Sequence, residues 1–142
     1  MIQEIVSFTI PGSPIAQKRP RFSRFKNRVI VYDDQKDDKK NLKYFYLKEL
    51  TKKGIHSAFS ENLEVKFQFF TPLQKNFSKK KKLSLEGAFN PQRPDLDNYV
   101  KFYLDSMNNI VFKDDNQVVS ICCEKRFSDI PRTEINIFIL GE

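Results

Sequence analysis

From Glu61 to Phe70 apolar and polar residues alternate, with Leu63, Val65, Phe67 and Phe69 facing one way. A period of two marks a strand with one buried face, and such a strand has to lie in a sheet that another layer covers. Ile2 to Ile10 repeats the pattern, setting Ile2, Val6, Phe8 and Ile10 against Gln3, Ser7 and Thr9. Arg28 to Tyr32, with the β-prone run Val29-Ile30-Val31, predicts a second short strand. Val118 to Phe127 and Thr133 to Leu140 read as a closing hairpin joined through Asp129-Ile130-Pro131.

Two segments carry helical spacing instead. Asp34 to Lys53 has an apolar stripe of Leu42, Phe45, Tyr46, Leu47 and Leu50, a cap candidate in Asp33-Asp34, and a stop at Gly54. Asp95 to Asn108 buries Leu96, Val100, Tyr103, Leu104 and Met107 at helical spacing. The resulting order predicts one α+β domain over residues 1–142, two main helices packed on a largely antiparallel mixed sheet. Between Thr71 and Asn90 there is little periodicity, and Lys79-Lys80-Lys81-Lys82 falls there, so a basic, flexible loop is expected at about 71–90.

Several function classes drop out early. No stretch approaches the roughly 20 apolar residues of a membrane span, and the N-terminus lacks the pattern of a signal peptide, so a cytoplasmic location is expected. Cys122 and Cys123 are adjacent, which on a strand sends them to opposite faces and makes neither a disulfide nor a spaced metal pair. His56 is the only histidine and is expected at the surface; its solitude removes most zinc sites and Ser-His-Asp schemes. Any chemistry must rest on carboxylates and lysines.

Lys and Arg outnumber Asp and Glu by 25 to 18, giving a formal charge of +7, which suits a nucleic-acid partner. Against that excess, Arg93-Pro94-Asp95-Leu96-Asp97-Asn98 and Asp114-Asp115 gather acids. Like charges held together destabilise a fold unless a cation relieves them. Oxygen-only ligands suit Mg²⁺ or Mn²⁺, and a metal-dependent nuclease is the chemistry such a set suggests. Plainer roles stand beside this one. Asp95 and Asp97 are good helix-start residues, and Asp114-Asp115-Asn116 is good turn chemistry. Asp97, Lys101 and Asp105 share a helix face, where Lys101 serves either a surface ion pair or charge growing on a phosphate.

Arg93-Pro94-Asp95-Leu96-Asp97-Asn98 with Lys101 and Asp105, followed by Phe112-x-Asp114-Asp115-x-Gln117-Val118, resembles the RusA family of Holliday junction resolvases. Pro11-Gly12-x-Pro14 followed by Lys18-Arg19-Pro20-Arg21 resembles its phage and prophage members. The resemblance implies a homodimeric, Mg²⁺-dependent endonuclease that nicks paired strands at four-way DNA junctions. It implies metal-site aspartates at Asp95, Asp97 and Asp115 and a catalytic-site lysine at Lys101, with Asp114 as a further acidic position. Lys18, Arg19, Arg21, Lys79, Lys80, Lys81, Lys82 and Arg93 are the candidates for phosphate contact, a solvated surface being the alternative for each run. Lys125 and Arg126 are further candidates. A nuclease for other branched DNA or RNA, and a DNA-binding protein without catalysis, are the rival readings.

Overall fold

In the computed structural model residues 2–19, 21–32 and 34–141 are described. The chain runs β1 (Ile2–Pro11), β2 (Arg21–Phe25), β3 (Arg28–Tyr32), α1 (Lys36–Lys52), β4 (Leu63–Pro72), α2 (Lys79–Leu85) and α3 (Leu96–Met107). A 3₁₀ turn (Asp115–Gln117) then leads into β5 (Val118–Ser128) and β6 (Arg132–Leu140).

The alternating segment becomes the inner strand β4, and four strands form a mixed sheet in the order β1-β6-β4-β5. β6 runs antiparallel to both β1 and β4, while β5 runs parallel to β4. The expected closing hairpin is therefore corrected: β4 lies between β5 and β6, and the turn between them passes over its end. Phe70 pairs with Arg132 on one side, and Pro72 with Ser128 on the other. A short turn reads the same in sequence whether its strands touch or straddle a third, because strands about 4.8 Å apart leave that span within its reach.

One face of the sheet is apolar and covered. Val6 and Phe8, Leu63, Val65, Phe67 and Phe69, and Ile135 and Ile137 are buried there. Both long helices pack on it through aromatic rings. Phe8 meets Tyr46 of α1 at 5.0 Å between centroids, and Phe69 stacks on Tyr99 of α3 at 5.0 Å. These contacts set the depth of each helix. Tyr99 and Phe102 go deeper than the spacing suggested, Leu96 and Leu104 stay half-buried, and Leu47 lies exposed on the outer side of α1.

Helix ends follow local chemistry with two exceptions. Gly54 takes a φ of 74° just past α1, the left-handed conformation that ends a helix at little cost. The N-cap of α1 is Gln35, without a side-chain cap bond; Asp33, expected to help cap it, lies outside the described residues. Within the expected loop at 71–90, Ser78 caps the short helix α2 by accepting from the Lys81 amide at 3.1 Å. That helix buries none of its residues. Cys122 is exposed, Cys123 half-buried, and both are free thiols; His56 is exposed.

Candidate nucleic-acid interface and carboxylate site

The start of α3 is held by a polar brace. Asn90 is buried, donates to the Thr71 hydroxyl at 2.8 Å, and accepts from the Gln92 amide at 2.8 Å. On β5, the Lys125 ammonium donates to the carbonyl oxygens of Gln92 and Pro94, the latter at 2.7 Å. Two carbonyls of the segment leading into Asp95, three residues and one residue ahead of it, are thus tied to the sheet. Lys125, a candidate for phosphate contact by sequence, is occupied in positioning the loop.

Asp95 is the N-cap residue of α3, yet its carboxylate makes no capping hydrogen bond. It lines a cleft of about 710 Å³ together with Ser13 to Lys18, Gln35, Asp38, Arg93 and Asn98. The extended arm after β1 lines that cleft and is tied to α3. The Ile15 amide donates to the Tyr103 hydroxyl at 3.0 Å and the Gln17 amide to the Asn98 carbonyl at 2.8 Å. Buried Gln35 closes the clamp, donating to the Ala16 carbonyl at 2.8 Å and accepting from the Lys18 amide at 2.9 Å. No helical or strand periodicity marks Gln35 or the arm, so sequence reasoning passed over the clamp. The prolines were the visible sign of an extended segment there.

Asp97 lies elsewhere, in a groove of about 590 Å³ between α3 and β5 lined by Leu96, Val100, Lys101, Ile121 and Cys123. Lys101 stands 3.8 Å from its carboxylate, and both side chains are mostly exposed, a geometry worth a few tenths of a kcal/mol. Asp105 does not join them. It pairs at 2.8 Å with Lys39, a residue that α1 buries against the Phe102 ring.

The two later aspartates differ from each other. Asp114 accepts from the Asn116 amide at 2.9 Å, and the Gln117 side-chain oxygen accepts from the Asp114 amide at 2.9 Å, so Asp114 caps the 3₁₀ turn. Gln117 also donates to the carbonyls of Phe59 and Glu61, fixing the turn to the body. Asp115 is exposed on that turn, which packs against α3.

Asp95, Asp97 and Asp115 have the donor chemistry for a hard divalent cation. Their positions do not yet make a centre. Among the described residues no three His, Cys, Asp or Glu side chains stand close enough together to hold a metal ion. The set as it stands does not fit a preformed three-carboxylate site.

Of the cationic candidates, Lys18 and Arg93 line the same cleft as Asp95, and exposed Arg19 follows Lys18. The side chain of Arg21 lies outside the described residues. Lys79, Lys80, Lys81 and Lys82 sit apart on α2, beside Leu73 and Asp129, with Lys81 over the Phe77 ring at 4.0 Å. Arg126 bonds Glu124 at 3.0 Å and the Gly87 carbonyl at 2.8 Å.

The family model for endodeoxyribonuclease RusA matches residues 11–138, from the arm to the last strand. The chain belongs to the RusA family. It is also similar to YqaN of Bacillus subtilis (strain 168), an uncharacterized protein, with 32% identity over 138 residues, covering 94% of this chain and 96% of YqaN. RusA membership implies an endonuclease of the Holliday junction resolvase type, and RusA-family nucleases are typically metal-dependent. The matched span takes in both walls of the Asp95 cleft and the Asp114-Asp115 turn. Among the described residues no helix is long and apolar enough to cross a membrane.

Proposed function

We propose that this RusA-family chain is a structure-selective endodeoxyribonuclease that resolves four-way junctions by paired, symmetric hydrolysis of phosphodiesters. The observation that carries the reading is the Asp95 cleft. A carboxylate at a helix start, making no cap bond, lines a cleft of about 710 Å³ together with Lys18, Arg93 and a second acid, Asp38. Cations around an acid suit a phosphate backbone that must approach a carboxylate. Arg19, Arg21 and the Lys79–Lys82 run are the further cations for phosphate contact in this reading.

Asp95, Asp97 and Asp115 are the catalytic carboxylates in this reading, and Asp114 supports them by shaping the turn that carries Asp115. Lys101, held near Asp97, offsets negative charge growing on the reacting phosphate. Mg²⁺, with Mn²⁺ as substitute, is the cofactor that the oxygen donor set and the family favour. A four-way junction is two-fold symmetric, and a homodimer of the single domain 1–142 supplies two matching sites. A DNA substrate of this kind places the enzyme in the cytoplasm.

The deciding experiment is nicking of a labelled immobile four-way junction, with and without Mg²⁺, beside a linear duplex. Paired symmetric cuts that need the metal, Asp97 and Asp115 are expected. Tight binding without cuts, across several metals and junction sequences, would move the protein to the class of non-catalytic DNA binders. Cuts in flaps, forks or RNA but not in junctions would reassign the substrate.

A further inference from the structure

Strands β2 and β3 form a two-stranded sheet of their own, apart from the main sheet. Phe25 pairs with Arg28 across a two-residue turn in which Lys26 and Asn27 have φ of 47° and 63°. This is the primed turn that matches strand twist. Cross-strand partners share a face, so Arg24 lies with Val29 and Phe22, while Arg28 and Ile30 lie on the other face. The described side chains on both faces are exposed: Phe22 is 70% exposed, Val29 58% and Ile30 48%, and Arg24, Lys26 and Arg28 are exposed as well. An isolated two-stranded hairpin is marginally stable in water, and exposed apolar side chains on both faces ask for a partner.

Charge identifies the partner. No acidic residue occurs between Glu4 and Asp33, while Lys18, Arg19, Arg21, Arg24, Lys26 and Arg28 all fall in that segment. A two-stranded ribbon fits the major groove of B-DNA, which is about 12 Å wide and 8.5 Å deep. Five-residue strands project roughly 14 Å at about 3.4 Å per residue, enough to reach the groove floor. The root of the hairpin is fixed where it matters: Gln35, just past β3, clamps Ala16 and Lys18, just before β2, at the wall of the Asp95 cleft.

We infer that the β2–β3 hairpin is a groove-binding ribbon that enters the major groove of the duplex arm next to the strand held in the Asp95 cleft. Arg24, Lys26 and Arg28 meet phosphates and base edges, and Phe22, Val29 and Ile30 meet apolar groove surface such as thymine methyls. The inference rests on the endonuclease reading and deepens it by naming what holds the substrate arm.

The test is binding of a labelled immobile junction in EDTA across a salt series, with Arg24→Ser/Lys26→Ser/Arg28→Ser beside wild type. Lys48→Ser/Lys52→Ser/Lys53→Ser removes equal charge from the far end of α1 as control. Loss of the two or three phosphate contacts these side chains make should make the log–log salt slope shallower by about 1.8 to 2.7, and the control by less than about 1. Thermal melting confirms that both variants fold, and Arg24→Glu alone provides a second, milder lesion. Guanine N7 methylation in the arms should weaken wild type at least tenfold and the hairpin variant hardly at all. Equal slope changes in hairpin and control variants, or indifference to N7 methylation, would overturn the inference. So would unchanged DNA binding with lost self-association, which would give the hairpin to a second copy. If wild type cuts junctions while the hairpin variant binds and cuts alike, only this inference falls; if wild type neither binds nor cuts, the endonuclease reading falls with it.

Discussion

The Lys125 ammonium stands 2.7 Å from the Pro94 carbonyl and also meets that of Gln92, so a lysine on β5 holds two carbonyls of the segment leading into Asp95. Positioning to within an ångström is worth about a hundredfold in rate. Lys125→Met should therefore slow junction nicking about 10- to 100-fold, with affinity and salt slope close to wild type. Lys125→Arg, which also offers several donors, should recover much of the rate. A shallower salt slope for Lys125→Met would instead make it a phosphate contact.

Asp97→Asn and Asp115→Asn separate chemistry from folding. The Asp97–Lys101 pair is exposed and loose at 3.8 Å, so its loss should shift stability by less than about 1 kcal/mol. Cleavage should fall by at least about a hundredfold in each variant. Urea unfolding of the metal-free proteins beside nicking assays gives both numbers, and a stability loss that matches the activity loss would make the acids structural.

Gln35 joins the arm to α1 through two hydrogen bonds in a buried setting. Gln35→Leu strands the Lys18 amide and the Ala16 carbonyl, at a cost of about 1–3 kcal/mol for each group left without a partner. Denaturant melts should show that loss, and junction affinity should drop with it because the cleft wall carrying Lys18 is released.

Burial pushes the Tyr46 hydroxyl far above the usual tyrosine range, with its bond to Ser106 pulling partly back; burial also raises Tyr103 and Tyr99. A group whose folded pKa exceeds its unfolded value stabilises the protein below the unfolded pKa, near about 10, and loses that effect as pH rises. Stability should hold to about pH 10 and then fall. In Tyr46→Phe the fall should be shallower by about 1.4 kcal/mol per pH unit, from a starting stability about 1 kcal/mol lower. Urea midpoints from pH 8 to 11 measure both.

Legibility in sequence followed the range of the physics. Strand and helix positions were readable because their signals are local: the alternation of Leu63, Val65, Phe67 and Phe69, the spacing of Val100, Tyr103 and Met107, and Gly54 as a stop. The partner of β5 was not, because a short turn is silent about a strand lying between its arms. Asp114 shows the same limit within a site. The sequence offered it both as a turn residue and as a further acidic position of the site, and its bond to the Asn116 amide, closed by Gln117, makes it a cap.

By itself the sequence determined the α+β layering, the RusA motif and the sign of the charge, because periodicity, residue spacing and net charge are properties of the chain. Only the tertiary structure decided that Asp95 and Asp97 open into different clefts, that Lys125 braces the first of them, and that the β2–β3 hairpin stands clear of the main sheet. Those are relations between residues far apart in sequence. Packing, through Phe8 on Tyr46 and Phe69 on Tyr99, sets them by fixing where each helix lies on the sheet.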